Sequence, residues 1–187
     1  MCGRYWIDGD DPAVTAIIGD LQDKNPHMKC SGEIFPGDTA PVVCKNRRGG
    51  ISAFAMEWGF ALPDGKRVIN ARMETAHQKP MFRDSMRERR CVLPMSAYFE
   101  WEKLEKGKQK HRIYPDAEGL FCLAGLYRFE NGAPKFTVLT MEAAEEIAFI
   151  HPRMPLILPW EQREEWLFGG ENVWQLKMKF EEEQNQS

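Results

Sequence analysis

The chain has 187 residues, of which 43% are hydrophobic and 28% charged, and a formal charge of −3. That length suits one domain with a substantial core and leaves little room for two. No apolar run approaches the ~18 residues that span a bilayer, and MCGRYW leads into IDGDDP without a basic or apolar leader, so neither a membrane anchor nor secretion is expected.

In chain order, DDPAVTAIIGDLQDKN carries the clearest helix signal. Asp10 or Asp11 can cap it, Pro12 suits its first turn, and Val14, Ile17, Ile18 and Leu21 recur on one face. Short apolar runs follow, split by Gly, Pro and Asn: TAPVVCK, GISAFAMEWGF, CVLPMSAYFEW, HRIYP, LFCLAGLYRF and KFTVLTM. They are rich in Val, Phe, Tyr and Thr and read as strands. KPMFRDSMRERR, MEAAEEIAFI and WEQREEWLF read as short helices. Strands outnumber helices without alternating with them, which disfavours a doubly wound fold. The expectation is a single α+β domain over 1–180, with a bent, barrel-like, mainly antiparallel sheet and a few short helices, followed by an acidic polar tail at 181–187. Residues 1–140 carry 21 basic and 18 acidic side chains, and residues 141–187 carry 4 and 10. The late acid reads as a solvated end.

The five cysteines (2, 30, 44, 91 and 122) are odd in number, widely spaced and without a CxxC pair. This argues against a disulfide framework and a zinc site and suits a reducing cytosol, so no metal and no cofactor are expected. Cys2 is the unusual one. Removal of Met1 would leave an amine and a thiol on adjacent carbons. An α-amine has a reference pKa of ~7.7–8.0, so part of it is neutral near pH 7. Such an amine condenses with an aldehyde, and the thiol can then close a five-membered thiazolidine. The same thiol could instead attack an amide as an N-terminal nucleophile, or Cys2 could pack as a small hydrophobe.

Other segments offer polar groups in patterned positions. In VINARMETA, Asn70, Arg72 and Glu74 alternate and can share a strand face, Arg72 with a planar fork suited to phosphate. In SAYFEWEK, Glu100 lies between Phe99 and Trp101, where desolvation would raise its pKa toward the acid–base range. Simple alternation would instead turn Tyr98 and Glu100 to water. In IHPRMPLILP, Pro152 and Pro155 stiffen the segment holding His151 and Arg153, as a proton-transfer histidine requires. His27, His77 and His111 lie in polar surroundings. Trp58 and Phe60 of WGFALP could stack on bases if exposed, and Arg83, Arg87 and Arg90 read as one basic helix face.

In order, the pieces MCGRY, EIFPGDTAPVV, WGF, INARMET, KPMFRDS, RRCVLPMSAYFEW, FCLAGLYR, FTVLTMEA and HPRMPLIL run from residue 1 to about 167. Together they resemble the SOS-response-associated peptidase (SRAP) family. The resemblance implies a cytoplasmic protein, nucleoid-associated when bound, acting as a monomer on single-stranded DNA that contains abasic (AP) sites. It implies loss of Met1, by self-processing peptidase chemistry or otherwise, and a thiazolidine cross-link between Cys2 and C1′ of the opened sugar. Asn70 would contact the deoxyribose, Glu100 would carry protons, and His151 would assist. Arg4, Arg72 and Arg153 would bind flanking phosphates, and Trp58 with Phe35 and Pro36 would pack near bases. Pro152 stands where many members have Asp, and Ala97 where Gly is frequent. The alternatives are an N-terminal-cysteine amidohydrolase, which would need an oxyanion hole, and a non-covalent binder of modified or single-stranded DNA, which would tolerate loss of Cys2.

Overall fold

The computed structural model describes residues 2–19, 21–170 and 176–183. A short strand, β1 (Tyr5–Ile7), is followed by α1 (Pro12–Ile18) and α2 (Leu21–Lys24). The Asp11 carboxylate caps α1 by accepting from the amides of Ala13 and Val14, and Pro12 takes an N-terminal position where no amide is needed. The single helix expected here is two. Gly19 turns at φ +40° with its amide on the Thr15 carbonyl at 3.0 Å, a closure that glycine accepts at little cost.

Strands then dominate. β2 (Gly32–Ile34), β3 (Thr39–Lys45), β4 (Ile51–Trp58), β5 (Phe60–Ala61), β6 (Arg67–Val68) and β7 (Asn70–Arg72) precede α3 (Met73–Ala76) and α4 (Pro80–Glu88). β8 (Arg90–Met95), β9 (Ala97–Lys103), β10 (Lys108–Pro115), β11 (Phe121–Glu130) and β12 (Ala133–Glu142) follow. A 3₁₀ turn at Glu145–Ile147 stands where a helix over MEAAEEIAFI is expected, because MEA... begins inside β12. β13 (Arg153–Pro155), β14 (Ile157–Pro159), α5 (Arg163–Leu167) and β15 (Met178–Glu183) complete the order.

Five strands close on themselves. β4, β3, β8, β11 and β12 pair in that sequence, and β12 returns to β4. Only the closing pair is parallel, through Lys135↔Glu57 and Phe136↔Trp58. Alternate side chains fill the inside: Val42, Cys44, Met56, Trp58, Cys91, Leu93, Leu123, Phe136 and Val138 are all buried. Gly125 permits tight closure, since a Cβ there would sit 2.9 Å from the Thr137 carbonyl oxygen. The opposite faces of these strands bury Val43, Val92, Cys122, Ala124 and Leu139 in a second cluster with Phe82 and Met86 of α4 and Trp166 of α5. This mainly antiparallel barrel with few, short helices is the α+β architecture expected.

A second antiparallel sheet, in the order β15-β10-β9-β1-β2, lies against one end of the barrel. Tyr5 of β1 packs edge-on to Trp58 inside the barrel, centroids 5.4 Å apart. The acidic end is not a free tail from residue 181. Glu181–Glu183 belong to β15, which runs along the basic strand β10. Lys110 Nζ meets Glu183 at 2.7 Å, and the Tyr114 hydroxyl donates to Glu181 at 2.7 Å. Charge complementarity between strands therefore recruits part of the segment expected to be solvated. Arg90 leaves the expected basic helix face altogether. It starts β8, is buried, and donates to the carbonyls of Met86 and Gly170.

The core holds several acids in neutral form. Burial raises the thiols of Cys2 (to about 12), Cys44 (to about 11), Cys91 and Cys122, and the phenols of Tyr5 and Tyr98. In the unfolded chain these ionise near ~8.5 and ~10. Their contribution to stability is thus complete below the unfolded values and is lost as pH rises toward the folded ones. Thermal midpoints should be level near neutrality and fall steeply above about pH 9, each buried thiol contributing somewhat more than ~1 kcal/mol per pH unit. A melting temperature unchanged from pH 7 to pH 10.5 would contradict this.

Candidate functional site

The site is assembled by one strand register. β1 pairs with β9 as Tyr5↔Tyr98 and Trp6↔Ala97, and Phe99 donates its amide to the Arg4 carbonyl at 2.9 Å. The residues before β1 therefore run back along β9 toward Glu100. Cys2 is fully buried, its thiol within sulfur hydrogen-bonding range of the Arg4 carbonyl oxygen at 3.8 Å. Its pKa is pushed up to about 12, first by burial and then by the nearby Glu100 carboxylate. The thiol is therefore neutral at physiological pH. Glu100 is only 5% exposed, and Tyr98 is buried with it. Alternation in SAYFEWEK thus turns this pair inward and not to water, because β9 lies inside the second sheet with the barrel beneath it.

Asn70, at the start of β7, reaches across to donate its side-chain amide to the Cys2 carbonyl at 2.9 Å. β7 is placed by β12, to which it pairs in parallel as Val138↔Asn70, Leu139↔Ala71 and Thr140↔Arg72. Three buried polar atoms here have no hydrogen-bond partner among the described residues: Asn70 Oδ1, Tyr5 Oη and Tyr98 Oη. The Tyr5 and Tyr98 phenols both lie within electrostatic reach of the Cys2 thiol. Unsatisfied buried groups each cost ~1–3 kcal/mol. Here they are gathered beside one thiol.

His151 precedes β13, which pairs with the last residues of β12. Its Nδ1 lies 3.0 Å from both the amide nitrogen and the carbonyl oxygen of Arg153, which fix the orientation of the ring. Arg153 clasps Glu74 with two parallel bonds of 2.7 and 3.0 Å and donates to the Thr140 carbonyl. Arg72 is exposed and enters no ion pair among the described residues. It stands with Asn70, Lys79 and Arg128 along an open groove of about 990 Å³. Arg4 lies on the outer face of β9, between the rings of Phe35 (4.4 Å) and Trp101 (4.9 Å), and meets Glu33 at 3.1 Å. Phe35 and Pro36 are exposed beside it.

The stacking expected of Trp58 is corrected by its position. The ring is fully buried, parallel to Phe136 at 6.0 Å, and its indole N–H donates to the Ile69 carbonyl. It presents no face to a base, and it fixes the strand leading into Asn70. Among the described residues no group of three or more His, Cys, Asp or Glu side chains is placed to hold a metal ion. Among the described residues no helix is long and apolar enough to cross a membrane.

A family model described as SOS response associated peptidase (SRAP) matches residues 1–185. The chain belongs to the SRAP family. It is 37% identical over 185 residues to the abasic site processing protein YoaM of Bacillus subtilis, covering 89% of this chain and 79% of that one. The abasic site processing protein YedK of Escherichia coli is 36% identical over 177 residues, with the same two coverages. The match to the abasic site processing protein YobE of B. subtilis, 36% over 124 residues, spans 57% of that protein. In fold, a crystal structure of a protein from Bacteroides thetaiotaomicron superposes with a TM-score of 0.82 at 22% identity, covering 98% of this chain and 93% of that one.

Two features of this SRAP chain escape the sequence. The hydroxyls of Tyr5 and Tyr98 converge on Cys2 only through the β1–β9 register. His111, which the sequence places only in polar surroundings, is 1% exposed, opposite Glu100 on β10, with Nε2 2.9 Å from Glu102 and its ring edge-on to Phe149 and Phe180. Phe180 comes from β15, whose last three residues fall in the segment expected to be a tail.

The Arg153–Glu74 clasp holds the Glu74 carboxyl below its usual range, chiefly through the hydrogen bonds from Arg153. The clasp is therefore present above the unfolded value of ~4.3 and is lost as pH falls through the depressed folded value. Glu74→Gln should release one cation near Arg72. Affinity for single-stranded DNA at low salt should rise about two- to fivefold and the salt slope steepen by up to ~0.7. An unchanged slope would mean that Arg153 faces no phosphate.

Proposed function

We propose that this chain captures abasic sites in single-stranded DNA as a covalent thiazolidine on Cys2, shielding the lesion. The carrying observation is the buried cluster around Cys2: a thiol held beside Glu100, with Asn70 Oδ1 and the Tyr5 and Tyr98 hydroxyls unsatisfied around it. An opened deoxyribose supplies both an aldehyde for the amine and thiol and hydroxyls for the orphaned polar atoms. The family relatives YoaM and YedK, both abasic site processing proteins by name, support the same reading.

The chemistry begins with hydrolysis of the Met1–Cys2 bond, which consumes one water and frees the amine. The amine attacks C1′ of the aldehyde, and the resulting carbinolamine loses water to give an imine. The thiol sulfur then adds to C1′, and its proton ends on the ring nitrogen. One water is released overall in the capture. A thiol with its pKa at about 12 needs a base at the moment of attack. In this reading Glu100, whose charge acts on the thiol, accepts that proton and returns it to nitrogen. His151 serves as the second proton donor, toward the departing hydroxyl. Asn70 orients the Cys2 backbone and offers its carbonyl oxygen to the sugar.

The flanking cations supply affinity without chemistry. Arg72, Lys79 and Arg128 line the groove beside Asn70 and would follow the phosphates, while the exposed Phe35–Pro36 edge over Arg4 takes the stacking role that Trp58 cannot. The route by which Met1 leaves, by self-cleavage or an aminopeptidase, does not alter the capture step.

On a denaturing gel, protein mixed with an oligonucleotide carrying one abasic site should give a heat-stable shifted band, absent with intact DNA. Cys2→Ala should abolish the band yet leave non-covalent affinity within about threefold. Tyr98→Phe, which removes an unsatisfied hydroxyl without emptying the core, should fold normally and slow capture about tenfold, on the order of 1–1.5 kcal/mol. A heat-stable adduct with Cys2→Ala would overturn the mechanism, and full-rate capture by Tyr98→Phe would remove that hydroxyl from it.

A further inference from the structure

The barrel has a second mouth, remote from Cys2. Following β4 back from Trp58, which packs on Tyr5, Met56, Phe54 and Ser52 point inward toward the other end of the barrel. There they join Cys44, Tyr127, Phe129 and Pro134 around an open cavity of about 580 Å³. Phe54 is 37% and Phe129 62% exposed, a large apolar surface to leave in water. Arg47 and Arg48 stand on the rim and no carboxylate lines it, while the Lys45 ammonium turns to the Phe168 ring at 4.9 Å. Arg47 and Arg48 are exposed and enter no ion pair among the described residues.

The backbone at this mouth is also unfinished. β4 is bonded to β3 along its whole length, but to β12 only at Glu57 and Trp58. β12 begins at Ala133, two residues before its Lys135↔Glu57 contact, so the first residues of β4 run past it. On that edge Ile51–Met56 pair with no other strand among the described residues. An unpaired strand edge is a template for a further strand.

We propose that this mouth docks an extended, acidic peptide segment of a partner protein. The segment adds to the free edge of β4 by main-chain hydrogen bonds. One aromatic or branched apolar side chain enters between Phe54 and Phe129, and the segment's carboxylates face Arg47 and Arg48. Nucleic acid would match the cations and the rings, but it has no regular ladder of donors and acceptors to satisfy the edge. Peptide is therefore the occupant that all three features select. The inference is independent of the chemistry at Cys2, and such a partner would leave the DNA-facing side of the barrel accessible.

The test is selection of a displayed library of random decapeptides against the whole protein, counter-selected with the double variant Arg47→Glu, Arg48→Glu. Both substitutions lie in an exposed turn. The expected result is an enriched motif of acidic residues beside an apolar anchor, with affinity weakened more than tenfold by the double reversal. Amide shifts on binding of the enriched peptide should centre on residues 51–56 and 129. No enriched motif, equal binding to the variant, or shifts confined elsewhere would overturn the proposal. So would a deoxythymidine 12-mer that perturbs the same amides more tightly than any peptide, since it would assign the mouth to nucleic acid.

Discussion

The pairing of β1 with β9 is the constraint on which the rest depends. Tyr5↔Tyr98 and the Phe99 amide on the Arg4 carbonyl carry the N-terminal residues under the second sheet, where termini rarely go. Once there, Cys2 cannot avoid desolvation, and Glu100 cannot avoid lying near it. Both effects push the thiol the same way, toward the neutral form. A chain end built into a core costs conformational entropy and a raised pKa. A surface cysteine would carry neither cost.

β12 organises the other half of the site. Along one edge it carries β4 and then β7, and along the other β11 and then β13. Asn70 and Arg72 thus come from one neighbour of β12, and His151 and Arg153 from the other. Residues some 80 positions apart meet because a single strand is long enough to serve four partners in succession. The same geometry explains the open mouth: β12 begins too late to cover the start of β4.

Much of this was legible from local pattern. TAPVVCK, GISAFAMEWGF and LFCLAGLYRF announced strands through β-branched and aromatic content, and Asp11–Pro12 announced a helix start. What was hidden required pairing across distance. Glu100 could face either way on alternation alone, and only the barrel beneath β9 decides. The burial of His111 and the pairing of Glu181–Glu183 were hidden for one reason, since each is buried or paired by the other's strand. Trp58 carried the composition of a stacking residue but lies in the barrel interior, where its indole N–H needs the Ile69 carbonyl. The phenols of Tyr5 and Tyr98 gave no signal, because an aromatic in a strand is ordinarily core.

The central claim is that both the nitrogen and the sulfur of Cys2 bond to C1′ of the sugar. Intact mass spectrometry of the adduct, made with and without borohydride, tests it most directly. The account predicts a mass equal to protein lacking Met1 plus oligonucleotide minus one water, unchanged by borohydride because a thiazolidine has no C=N bond to reduce. An adduct that gains two hydrogens would be an open imine, and one that retains Met1 would show that Cys2 is not the amine. Either would contradict it.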